Sequence, residues 1–118
     1  MKVSIVRIVD RGVPNQERLH LSVLVYTDLS FFMVVDTVAT GVNSISSTPK
    51  HSYWFAPAKV KPGDNVVLYT GPGTDSQTRR ADGGTDYFFF WNLPNTIWHT
   101  PAARAVLFEV LSWETSPA

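Results

Sequence analysis

The residues able to do chemistry in this chain are three histidines, a few loop serines, an arginine doublet set among aspartates, and a run of aromatic side chains. His20, His51 and His99 lie far apart, without the His-x-x-x-His or His-x-His spacing of a zinc site, so each reads first as a surface histidine. No Gly-x-Ser-x-Gly elbow is present. Ser44, Ser46 and Ser47 fall in a polar stretch where a hydroxyl serves backbone hydrogen bonding more readily than nucleophilic attack. Gly71-Pro-Gly-Thr-Asp-Ser76 is glycine-rich but lacks the Gly-Lys-Ser/Thr of a phosphate cradle, and no strong helix follows it. Asp75, Asp82 and Asp86 offer oxygen ligands, yet a single copy without alternating EF-hand ligands does not make a calcium loop. No catalytic residue, metal or cofactor is expected.

Two features invite a binding reading. Arg79-Arg80 is the only basic doublet, and two guanidinium groups can grip a phosphate or carboxylate bidentately. Tyr87-Phe-Phe-Phe-Trp91 would place Phe88 and Phe90 on one side of a strand and Tyr87, Phe89 and Trp91 on the other. One bulky face must be core. The other packs under the chain itself, meets a partner, or stacks on a ligand, and Trp54 and Trp98 add to that supply.

The elements that must position these residues are strands. Val3 to Val9, Arg18 to Val25, Phe31 to Thr40, Tyr53 to Phe55, Asn65 to Thr70, Tyr87 to Trp91 and Ala102 to Glu114 are apolar or alternating runs parted by turn chemistry. In the second of these, Leu19, Leu21, Val23 and Val25 share a face opposite Arg18, His20 and Ser22. Pro62-Gly63-Asp64 reads as a turn before the core strand Val66-Val-Leu-Tyr69. Pro57, Pro94 and Pro101 also fall between runs, as a sheet protein requires. Val42 to Pro49 reads as a loop or weak edge strand, and Gly71 to Asp86 as the longest segment without structure. Helical spacing can also claim Ala102 to Leu111, but its β-branched and aromatic content favours a strand.

A chain of 118 residues has the length of one domain, here 1–118, and can bury enough surface for a core without staples. Hydrophobic content of 44% against 17% charged excludes a disordered chain. The absence of cysteine excludes disulfides and thiolate metal sites. Ten basic and ten acidic residues cancel, so nothing draws the chain to nucleic acid, and little self-repulsion opposes a homo-oligomer. Met1 to Arg7 holds no long apolar leader and no apolar run approaches membrane-spanning length, which makes a cytoplasmic chain without membrane insertion the default expectation. Together these readings describe an all-β, single antiparallel sandwich of about seven strands.

From Tyr53 onward the sequence resembles the lamin-tail domain, an immunoglobulin-like β-sandwich. The resemblance rests on Tyr53-Trp-Phe-Ala-Pro57, the turn Lys61-Pro-Gly-Asp64, the strand Val66-Val-Leu-Tyr-Thr-Gly71, the aromatic run Tyr87 to Trp91, and Asn95-Thr-Ile-Trp98 before a closing apolar strand. Upstream, Glu17-Arg-Leu-His-Leu21 is similar to the family's early strand, where an acidic residue opens an alternating run. The family usually follows its tryptophan with a polar turn containing Gly and Asp, whereas this chain has His99-Thr-Pro-Ala-Ala103. The resemblance implies an immunoglobulin-like fold and a binding or adhesion module with no catalytic residues of its own. The expected function is therefore a non-catalytic binding or assembly module that contacts a protein partner. Its candidate contacts are Arg79 and Arg80 in the 71–86 loop and the aromatics Trp54, Tyr87, Trp91 and Trp98. The alternative is a carbohydrate- or small-ligand-binding sandwich with an aromatic platform.

Overall fold

A computed structural model describes residues 1–117; Ala118, the last residue of the expected domain, lies outside the described residues. The alternating runs become strands: β1 (Val3–Val9), β2 (Arg18–Val23), β3 (Thr27–Asp28), β4 (Phe32–Gly41), β5 (Ser44–Ile45), β6 (His51–Trp54), β7 (Lys59–Val60), β8 (Asn65–Tyr69), β9 (Ser76–Arg79), β10 (Thr85–Phe90) and β11 (Ala103–Glu109). The only helical element among the described residues is a 3-10 turn, Leu29–Phe31. Each of the seven anticipated runs overlaps one strand, with β4, β6 and β10 reaching one or two residues past the anticipated limits. The other four, β3, β5, β7 and β9, are short.

The strands form two main sheets. The first runs β1-β2-β8-β10-β9, and the second places β11 on one side of β4 with β5 and β6 on the other. Side-chain alternation turns one face of each sheet inward. Val3, Leu19, Leu21, Val23, Val66, Leu68 and Phe89 of the first sheet meet Phe32, Val34 and Ala103 of the second, with Phe55 and Trp98 between them in one buried cluster. The result is an all-β sandwich.

One pairing departs from the antiparallel expectation. β8 and β10 are parallel, with Val66 opposite Tyr87 and Leu68 opposite Phe89. The reason lies in residues 71–86, read from sequence as unstructured, the last two of which open β10. Ser76–Arg79 is instead an edge strand antiparallel to β10, joined to it by a tight turn in which Arg80 N donates to Gly84 O at 2.8 Å. That hairpin hands the chain back in the direction of β8. Its four residues are all exposed and polar, so burial left no trace in their sequence. The last anticipated run also ends early, at Glu109, and Leu111–Pro117 continues as an exposed tail.

The Pro62-Gly63 turn forms as expected. Asp64 N donates to Lys61 O at 3.1 Å, and Gly63 takes φ +92°, which a β-carbon would strain. The Asp64 carboxylate is buried and accepts from Lys61 N (3.0 Å), Lys61 Nζ (2.9 Å) and Thr85 N (2.9 Å). Burial, the largest single influence, pushes its carboxyl up. The hydrogen bonds from Lys61 and Thr85 outweigh it and hold the group below the usual carboxylate range.

Candidate functional site

The candidate residues do not converge on one place. Arg80 is engaged by the protein itself: its guanidinium donates to Asp86 and to Gly63 O and pairs with Asp82 at 3.3 Å. These bonds latch the β9–β10 hairpin to the Pro62-Gly63 turn. Arg79, at the end of β9, is exposed and among the described residues makes no ion pair. The doublet therefore does not present two free guanidinium groups to one anion.

The aromatics divide by strand parity. Tyr87, Phe89 and Trp91 turn inward, and Trp98 is completely buried, its Nε1–H donating to Arg104 O at 3.2 Å. Trp91 packs edge-on against Trp98 (centroids 6.1 Å apart) and Tyr53 (5.8 Å), and Phe89 against Phe55 (5.2 Å). The Tyr53 hydroxyl is pushed up to about 12 by burial and by the nearby Asp75 carboxylate. On the opposite side, Phe90 stacks on Tyr69 at 5.0 Å, and Arg18 lies over the Tyr69 ring. Gly73 lies against the Phe90 ring so closely that a β-carbon there would overlap it. The chain thus covers much of both faces of the Tyr87–Trp91 run, leaving Phe89 buried and the other four rings only partly exposed.

Trp54 is the exception. It follows inward-facing Tyr53, so it points away from the core and remains 48% exposed. Its placement is built locally. Asp28 caps the 3-10 turn by accepting from Ser30 N at 2.9 Å, the bond that does most to hold the Asp28 carboxyl below its usual range. Ser30 O in turn accepts from Trp54 Nε1 at 2.7 Å, which fixes the ring. Phe31 O accepts from Val110 N at 2.6 Å where the tail leaves β11, and Trp113 in that tail meets Trp54 edge to face at 5.3 Å.

Across the same outer face, Met33 is the register partner of both Trp54 and Phe108. With strands spaced about 4.8 Å apart, these three side chains form one transverse row. Beside Phe108 the face deepens into an apolar hollow of about 400 Å³ lined by Val35, Ile45, Pro49 and Val106. Phe31, Ile45, Phe108 and Trp113 each keep more than two fifths of their surface exposed. The outer face of the second sheet thus exposes an apolar row across β6, β4 and β11 with this hollow beside it. Phe108, Met33 and Trp113 carried no special signal in sequence; the pairing register puts Met33 and Phe108 in a row with Trp54, and the edge-to-face ring contact adds Trp113.

A second cluster is polar. Buried Asp36 accepts from His51 N at 2.6 Å, and His51 Nδ1 lies 3.1 Å from both of its carboxylate oxygens. Nδ1 therefore carries a proton, as in the orienting half of a hydrolytic triad. Among the described residues no serine or threonine hydroxyl is hydrogen-bonded to His51, and no group of three His, Asp or Glu side chains converges on a metal position. Among the described residues no helix is long and apolar enough to cross a membrane. No family model, curated protein or solved structure matches this chain.

Proposed function

We propose that this protein is a non-catalytic assembly module of the immunoglobulin-like, lamin-tail-like kind, which makes protein–protein contact through the outer face of its second sheet. The observation that carries this reading is the row Trp54–Met33–Phe108, extended by Trp113 and the apolar hollow and left uncovered. Tryptophan, phenylalanine and methionine are the residue types enriched where protein interfaces bury their centre. A flat sheet face can serve both subunits of a two-fold pair, and a net charge of zero removes long-range repulsion between copies. The partner is accordingly a second copy of the chain. Further support comes from the resemblance of Tyr53–Trp98 to a family of binding domains, and from the all-β sandwich to which those residues contribute β8 and β10.

Light scattering at two protein concentrations tests the reading. Wild type should show a mass rising towards the dimer, while Trp54→Ser/Phe108→Ser should remain monomeric with an unchanged far-ultraviolet spectrum. A wild-type chain that is strictly monomeric at both concentrations would sink the proposal.

A further inference from the structure

At one end of the sandwich, three segments that are distant in sequence enclose a hollow of about 600 Å³: the β1–β2 loop, the exit from β8, and residues 93–99. One buried carboxylate joins all three walls. Glu17 Oε1 accepts from Thr70 Oγ1 (2.9 Å) and Ile97 N (2.9 Å), while Oε2 accepts from Gly12 N (2.8 Å) and Trp98 N (3.1 Å). Arg11 adds a further tie, its Nε donating to Trp98 O at 3.0 Å. The hollow is therefore preformed, and a ligand entering it meets a cost of ordering already met by folding.

The backbone around it is unusual too. Among the described residues, the three non-glycine residues with φ in the left-handed region, Asp10 (53°), Asn15 (64°) and Asn92 (60°), all lie in the segments that build or border this end. Such conformations persist where surrounding structure imposes them, and they concentrate at ligand sites.

The lining determines what would bind. Thr70 is turned to Glu17, but Asn15, Asn95, Thr96 and His99 also line the hollow, and none of the first three side chains has a protein hydrogen-bond partner among the described residues. His99 Nδ1 lies 3.2 Å from Thr96 O, an acceptor only, so Nδ1 is the donor and Nε2 of the neutral ring is left as an acceptor. No Asp, Glu, Lys or Arg side chain lines the hollow, so nothing there selects a charged ligand. Pro14, Pro72, Pro94 and Leu93 provide rigid apolar wall between the polar groups. Two amides, one hydroxyl and one imidazole acceptor set among flat apolar surfaces suit groups that donate and accept on adjacent carbons of a ring.

We infer that this end of the sandwich is a binding site for a neutral saccharide of one or two rings, held by Asn15, Asn95, Thr96 and His99. The site is separate from the outer face of the second sheet and does not depend on the assembly reading.

The test is a titration of the isotope-labelled full chain with uncharged methyl glycosides and disaccharides of glucose, galactose, mannose and N-acetylglucosamine, followed by amide chemical shifts. At least one member should give saturable shifts at Asn15, Gly71 and Asn95–His99, with a dissociation constant on the order of 1 mM or tighter. Asn95→Ala and His99→Ala change exposed side chains and should keep the fold. Each should weaken that binding roughly tenfold, the loss expected when a hydrogen bond is removed. Trp54→Ser should leave it unaltered. The inference is overturned if no member of the panel saturates, if both variants bind as wild type does, or if inorganic phosphate or acetate shifts the same amides more tightly than any neutral sugar.

Discussion

Tyr53 and Trp54 are neighbours in β6 and comparable in size, yet they belong to two different molecular environments. Tyr53 joins Phe55, Phe89, Trp91 and Trp98 in the interior, where each ring meets another at an angle. Trp54 joins Met33, Phe108 and Trp113 on an outer face, held by one hydrogen bond and the Trp113 ring and still about half open. The difference teaches that residue type does not decide which aromatics stabilise and which are available. Strand parity decides, together with which strand lies alongside.

Substitutions that break this contrast rank by how much buried structure they remove. Trp98→Ala or Phe89→Ala should cost about 3–5 kcal/mol in chemical denaturation, since each leaves a cavity that rigid neighbours cannot fill. Glu17→Gln should come next, at roughly 3 kcal/mol. An amide offers one acceptor oxygen where four donors converge, and its NH₂ would face backbone N–H groups. Comparable stability of Glu17→Gln and wild type would contradict the role given to that carboxylate. Trp54→Ser should lie well below both, at less than about 1 kcal/mol, because half the ring is already in water. A loss as large as that of Trp98→Ala would show the two aromatic sets to be alike and would remove the contrast.

The smallest effect concerns pH. Asp64 has a folded pKa below its ordinary value, so its stabilising contribution is complete above about pH 4 and is lost as pH falls through the folded value. The stability difference between wild type and Asp64→Asn should therefore shrink between about pH 5 and pH 2. A gap that stays constant over that range would argue against the bonds from Lys61 and Thr85 as its cause.

Much of this was legible before the structure, and the limits have physical reasons. The β2 and β8 strands announced themselves because one or both faces are buried, leaving alternation or a β-branched run in the sequence. The Pro62-Gly63 turn was legible because a positive φ favours glycine. β9 was not, because an exposed edge strand of Ser-Gln-Thr-Arg needs only backbone pairing. The parallel β8–β10 pair followed from that same hidden hairpin. Glu17 was visible as the residue opening β2, but its contacts at Thr70 and Trp98 lie more than fifty positions away. Among the site residues, type alone put Trp54 and Trp98 on an equal footing, and only strand parity leaves Trp54 on the surface. Trp98 shows why type is insufficient, since the packing that buries it comes from both sheets. Arg80 shows the same for charge: Asp82 and Asp86 seemed to be neighbours in a loop and are its partners.

The most direct measurement is a dilution series of the labelled chain monitored by backbone amide, indole and methyl shifts. The account predicts concentration-dependent shifts at Met33, the Trp54 indole, Phe108 and Trp113, with Trp91 and Trp98 unmoved. Shifts confined to the edges β1 or β9, or no dependence on concentration at all, would contradict it.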